Sequence, residues 1–161
     1  MRVYSIKNDE EFKNKLSNKM KLIYDIGCST GLRISDIVKL KKNILNIKEP
    51  TIKEQKTGKS KRIYIKKDIR KKLITLAEKS KNEYIFYSKA KSGHISRQAV
   101  WKAFKVSATK NKIKTNTGTQ SMRKKYAHKL RTKHNLKYIQ NKLNHDNILT
   151  SLIYCTNEKE L

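Results

Sequence analysis

Apolar residues recur at helical spacing over much of the chain, and the recurrence predicts its elements in order. Leu16, Met20, Ile23, Tyr24 and Gly27 mark one face of a helix over about residues 16–28, closed at C-S-T-G where Gly31 suits a turn. Ile34, Ile37, Val38 and Leu40 mark a second amphipathic helix. Arg33 falls in its first turn, where the positive helix end favours an anion. Over residues 44–65 the period shortens. I-L-N-I, T-I-K-E-Q-K and K-R-I-Y-I read as three short strands, the last two joined through T-G-K-S as a hairpin. Helical spacing returns over Asp68 to Ser80, with Ile69, Leu73, Leu76 and Ala77 on one face. Y-I-F-Y at 84–87 fits a short strand or an extended segment. Ser96 is placed to cap a helix carrying Ala99, Val100, Ala103, Phe104 and Val106. Thr119 or Ser121 caps the next, with Met122, Tyr126, Ala127 and Leu130. Leu136–Leu143 and Ile148–Tyr154 close the chain as two short helices. Residues 1–15 are polar and carry no motif, Pro50 is the one proline, and there is no internal repeat. The fold class predicted is α+β, mainly α, with a small three-stranded antiparallel sheet towards the N-terminal side.

Charge adds most to this picture. The chain has 161 residues, a size fitting one domain with a real core, and 36% of them are hydrophobic. Its formal net charge is +27, which repels itself in a compact fold and points to a polyanionic partner, nucleic acid before a membrane surface. An AT-rich coding bias would raise lysine, but would not by itself hold Asp and Glu to 13. Only 7 of the 40 basic residues are arginine. In such a lysine background, a retained arginine points to a need for the planar guanidinium fork that grips phosphate oxygens in pairs. Cys28 and Cys155 form neither a C-x-x-C pair nor a cluster with histidine, which excludes a disulfide framework and a zinc site. No apolar run reaches the length of a membrane span, and no signal-peptide core is seen. The expectation is a soluble, cytoplasmic, DNA-associated protein.

Candidate chemistry concentrates in four segments. T-G-L-R-I-S-D-I-V-K-L at 30–40 carries Arg33, and K-T-G-K carries Lys56 in the hairpin. Q-S-M-R-K-K-Y-A-H-K-L at 120–130 carries Arg123, and L-N-H-D-N-I-L-T-S-L-I-Y at 143–154 carries His145 and, nine residues on, Tyr154. Two arginines, a histidine and a late tyrosine in a very basic chain suggest phosphodiester chemistry with tyrosine as nucleophile. In this order and spacing the segments resemble the signatures of the tyrosine site-specific recombinases, the phage integrase family, over residues 17–157. Q-S-M-R-K-K-Y-A-H-K-L is similar to that family's H-x-x-R, L-N-H-D-N-I-L-T-S-L-I-Y to its L-G-H-x(8)-Y, and K-T-G-K to its β2–β3 lysine turn.

What the resemblance implies is specific. Arg33 and Arg123 would clamp the non-bridging phosphate oxygens and stabilise the pentavalent transition state. Lys56 would protonate the leaving 5′ oxygen, with Lys53 and Lys59 as the other lysines able to fill that role. His145 would hydrogen-bond the phosphate, and Asp36 would support the geometry. Tyr154, whose pKa near ~10 makes it a weak nucleophile until the phosphate charge is neutralised, would form a 3′-phosphotyrosyl bond. Neither metal nor cofactor is called for, and the carboxylates form no triad for a two-metal nuclease. The partner implied is double-stranded DNA, with self-association on it as a dimer or tetramer. Arg97, Gln98 and Lys102 on the 96–109 helix suit guanine and adenine edges, unless Trp101 and its neighbours are core. Lys59 and Lys124 are further DNA-binding candidates, whereas His94, His128 and His134 read as surface or structural.

The chain departs from the family pattern at Gln120, which stands where histidine is usual. Glutamine can donate a hydrogen bond to phosphate but cannot shuttle a proton. The domain expected is a single catalytic unit over 1–161, with 1–15 as an N-terminal segment and without the family's N-terminal core-binding domain. Only seven residues follow Tyr154. The function implied is DNA cleavage and rejoining in site-specific recombination or integration. The alternatives are a weakened or inactive DNA-binding relative, and a nicking-closing activity like that of type IB topoisomerases.

Overall fold

A computed structural model describes residues 9–89, 93–113 and 118–156. Residues 1–8 of the polar N-terminal segment and 157–161 after the last motif lie outside the described residues. The chain is mainly helical with one small antiparallel sheet, as expected. Its helices are α1 (Asp9–Asn14), α2 (Asn18–Thr30), α3 (Ile34–Ile37), α4 (Lys67–Glu78), α5 (Arg97–Lys110), α6 (Ser121–Arg131), α7 (Leu136–Leu143) and α8 (Ile148–Cys155). The strands are β1 (Thr51–Lys53) and β2 (Ser60–Arg62), in register Thr51 with Arg62, Ile52 with Lys61 and Lys53 with Ser60.

The sheet has two strands rather than three. Ile44 and Leu45 are adjacent and both buried, whereas a strand would send them to opposite faces. Lys42–Asn46 instead forms a 3-10 turn that carries both inward. The Arg70 guanidinium on α4 takes the carbonyls of Leu45 (2.6 Å) and Lys48 (2.9 Å), leaving no free edge for a third strand. Beyond β2, Ile63 and Ile65 remain buried, but pairing stops where Ile63 N–H reaches the carbonyl of Pro50, which has no N–H to return. The segment at 84–87 forms no strand: it bends at Ile85 and Phe86 and makes only isolated bridges, Tyr84 to Lys41 and Tyr87 to His94.

The N-terminal stretch holds an element that the polar pattern hid. α1 opens with Asp9, Glu10 and Glu11, which suits a helix N-terminus, and turns Phe12 fully inward. Phe12, Tyr24 and Phe104 meet edge to face with ring centroids 5.4–6.0 Å apart, joining α1, α2 and α5. Buried Asp9 receives the Tyr24 hydroxyl and pairs with Lys125.

Two apolar clusters result. The larger gathers α1 to α5, the segment after β2, Ile85, Phe86 and Met122. The smaller gathers Ala127, Ile139, Leu143 and Cys155 from α6, α7 and α8. Helix α6 bridges them, with Met122 in the first and Ala127 in the second. α2 and α6 approach closely because residue 27 is glycine: a Cβ there would sit 2.8 Å from that of Met122.

Candidate active site

Arg123 lies between the two clusters and is 2% exposed. A buried guanidinium is tolerable only with its donors satisfied. Nη1 donates to the Gly31 carbonyl at 2.5 Å, and Nη2 faces the Leu143 carbonyl at 3.0 Å and His145 Nε2 at 3.2 Å. The first carbonyl is offered by the turn that ends α2. Gly31 takes φ +63 there, and a side chain at that position would collide with Tyr126 and Leu143.

The same device presents the histidine. α7 ends on Asn144 in the left-handed conformation, with His145 N–H closing back on the Gln140 carbonyl. Asparagine tolerates this conformation next best after glycine, so L-N-H works here where the family pattern has L-G-H. The imidazole is 8% exposed, and its pKa is lowered to about 4 by burial first and then by Arg123, Arg33 and Lys61. It is therefore neutral at pH 7. Arg123 can only donate, so Nε2 is the acceptor and Nδ1–H donates to Ser151 Oγ at 2.9 Å.

Ser151 and Tyr154 are three residues apart on α8 and share its inner face. The Tyr154 ring meets His145 edge to face, centroids 4.9 Å apart. Its hydroxyl donates to Gln120 Oε1 at 3.0 Å. Gln120 itself occupies the cap position of α6, where Thr119 or Ser121 was expected, and makes no capping bond. Its side chain serves the tyrosine instead.

Arg33 joins this group by a route the sequence did not indicate. It stands at the N-cap of α3, a helix of only four residues, so a helix dipole contributes little. Its partner is Glu54, which is fully buried just after β1. Arg33 Nη1 lies 2.7 Å from Oε2, and Arg123 Nη1 lies 3.9 Å from Oε1. One carboxylate thus holds both guanidinium groups. Burial works against its charge, yet the Asn144 amide and the Arg33 guanidinium beside it outweigh that and hold its pKa below the ordinary glutamate value. Asp36, 3% exposed, accepts the Gln55 amide at 3.0 Å and so pins the hairpin where Glu54 enters the site. Burial raises the Asp36 pKa, with that amide opposing.

Arg33, Gln120, Arg123, His145 and Tyr154 are therefore brought together, with Asp36 behind them. Lys56 is not. It is exposed in the hairpin turn and makes no hydrogen bond or ion pair with a described residue. Lys59 is also on this turn, and its Nζ meets Asp146 at 2.6 Å, next to His145. Arg97, Gln98 and Lys102 form a separate exposed row on α5, and Lys124 is half-buried on α6. Trp101 is 50% exposed in that row with the Lys105 ammonium 5.3 Å from its ring, which overturns the core alternative for it. Of the other histidines, His134 is exposed and stacked on Tyr138, and His94 packs against Tyr84.

Glu54, Ser151 and Lys61 were missed in the sequence. Glu54 carried a usable signal: it is one of 13 acidic residues, set among lysines. Ser151 and Lys61 carried none.

Comparison with known proteins bears on this geometry. The XerA recombinase aligns with a TM-score of 0.80 at 18% identity, over 99% of this chain and 60% of that one. A lambda integrase dimer bound to a COC′ core site gives 0.81 at 15%, over 99% and 61%. The XerH site-specific recombinase in a post-cleavage complex with its palindromic difH substrate gives 0.77 at 20%, over 98% and 50%. At such identities the likeness establishes a shared fold, and the chain spans between 50% and 61% of these structures' lengths. The family described as phage integrase matches residues 4–160, which takes in every motif above, and the chain belongs to that family.

Proposed function

We propose that this chain cleaves and rejoins DNA strands through a covalent bond to Tyr154. The observation that carries the reading is the convergence of the Tyr154 hydroxyl, His145 and two guanidinium groups on one place, in a chain of net charge +27. A phosphodiester entering there meets Arg33, which is partly open to solvent, and Arg123 behind it. Their charge neutralises the phosphate and stabilises the extra negative charge of a pentavalent transition state. Tyr154 Oη releases its proton to solvent and bonds to phosphorus as the bond to the 5′ oxygen breaks. Lys56, on the exposed hairpin, protonates that oxygen as general acid. The 3′-phosphotyrosyl bond keeps the energy of the original linkage, so attack by another 5′-hydroxyl rejoins the strand without a further energy source. Arg97, Gln98 and Lys102 read or grip the flanking duplex, with Lys59 and Lys124 on its phosphates. Two of the similar structures, the lambda integrase dimer on its core site and the XerH recombinase on difH, are DNA-bound, which supports duplex DNA as the partner here.

One observation favours a second reading. Gln120 orients the tyrosine hydroxyl but cannot take its proton, which suits a weakened enzyme or a DNA-binding relative. The deciding experiment incubates the protein with nicked duplexes from its own replicon and quenches in detergent. A covalent adduct in the wild type that is lost in Tyr154→Phe, at unchanged duplex affinity, is expected. Tight binding with no adduct from either protein would leave the binding reading in its place.

A further inference from the structure

Lys61 faces inward from the middle of β2. It is 6% exposed, between exposed Ser60 and Arg62. Its Nζ is shielded from solvent and has no hydrogen-bond partner among the described residues, lying 5.3 Å from the centroid of the Tyr126 ring. Two partly buried lysines, by contrast, have a carbonyl to hold: Lys19 donates to Tyr87 and Lys42 to Ser80. A buried ammonium without such an acceptor costs stability and contributes no cross-link in return.

The surroundings of Lys61 are those of the candidate site. Arg123 on α6, Arg33 before α3 and Lys142 on α7 oppose its charge, Glu54 after β1 supports it, and His145 feels it in turn. Burial, then Arg123, bring its pKa down to about 7, so the amine is divided between neutral and charged forms at neutral pH. A bound phosphodiester would add negative charge among these groups and favour the ammonium.

We propose that Lys61 is a further positioning residue of the phosphodiester site, a buried amine that takes up one proton from solvent as the phosphate settles on Arg33 and Arg123. The charge of the site then follows its occupant. Empty, it holds two guanidinium groups on one carboxylate beside a partly charged amine; filled, that amine becomes a full third cation. This rests on the phosphodiester reading of the site.

The sign is definite. Binding raises the pKa of Lys61, so the complex holds more protons than the free protein above about pH 7, and affinity falls as pH rises through that window. The limit for one group is about tenfold per pH unit. His145, with its pKa about 4, has its own window lower down.

The test measures binding of a short duplex at fixed ionic strength by fluorescence anisotropy, from about pH 6 to pH 9. It is run in the Tyr154→Phe background, so that strand cleavage plays no part. Affinity is expected to fall several-fold per unit above about pH 7, and Lys61→Met and Lys61→Arg are each expected to lose that limb. Profiles that run parallel in all three proteins would overturn the proposal. Should the variants fold poorly, the Lys61 Cε resonance of the parent protein decides. It is expected to titrate near pH 7 free and at higher pH with duplex, and an amine still charged at about pH 9 in the free protein overturns the idea. Failure of the adduct assay with this limb intact removes the nucleophile and leaves Lys61 in place. The converse result removes Lys61 alone.

Discussion

Replacing Glu54 by glutamine takes one charge from the most enclosed part of the site and leaves the side chain's shape nearly unchanged. In the parent, Glu54 Oε2 lies 2.7 Å from Arg33 and accepts the Thr57 hydroxyl at 3.0 Å, while Oε1 lies 3.9 Å from Arg123. Glutamine leaves two guanidinium groups facing each other with no counter-charge between them. Breaking a buried ion pair by removing one partner costs about 3–5 kcal/mol. Arg33 is 17% exposed and can relax towards water, which argues for the lower end. A loss of about 3 kcal/mol lowers the melting temperature by about 6–12 °C for a chain of this size. Duplex DNA should narrow the gap, since phosphate supplies the missing negative charge. The pH dependence has a fixed sign as well. The pKa of folded Glu54 is depressed, so its contribution is complete above about pH 4.3 and fades as pH falls towards the folded value. Parent and variant should therefore converge in acid. Circular-dichroism melts with and without duplex, at neutral and acid pH, provide the assay. Melting within about 2 °C of the parent at neutral pH, or a gap that widens with DNA, would refute the reasoning.

Three further outcomes are expected. His145 titrates at about 4 in the fold against about 6.5 unfolded, so parent stability should rise by roughly 3 kcal/mol between those pH values, and His145→Gln should flatten that rise in urea titrations. Gln120→His places a proton acceptor at the tyrosine hydroxyl and should speed adduct formation by about tenfold or more, read in single-turnover quench experiments; an unchanged rate removes Gln120 from the chemistry. Gly31→Ala combines a left-handed backbone with a clash against Tyr126 and Leu143 and should cost about 2–4 kcal/mol, measured by thermal melting.

The helices were legible because each buries one regular stripe: Ile69, Leu73 and Ala77 on α4, and Val100 and Phe104 on α5, lie inward as their spacing required. Ser96 caps α5 through the Ala99 amide, as its position suggested. The third strand misled because Ile44 and Leu45 were read as a strand pattern, while their true partner was an arginine 25 residues away. Phe12 was hidden by its acidic neighbours, whose charge favours a helix start as much as a loop. In the site, the motif segments could be read along the chain, and the fold brings their Arg33, Arg123, His145 and Tyr154 together. Glu54 was marked only by being acidic among lysines, and Lys61 was out of reach, because which hairpin side chains face inward depends on strand register, and three-residue strands leave that register unmarked.

Arg123 ties the turn after α2 to the end of α7, and it does so from the helix shared by both apolar clusters. Its guanidinium can reach its bonding position only when those clusters are docked against one another. A half-folded chain, with α7 and α8 detached, would lack the tyrosine, the histidine and an oriented arginine together. On the proposed reading of Tyr154 as nucleophile, a chain opened in this way would meet DNA without an assembled site. The charged side chain proposed to meet the phosphate thus doubles as a structural fastening.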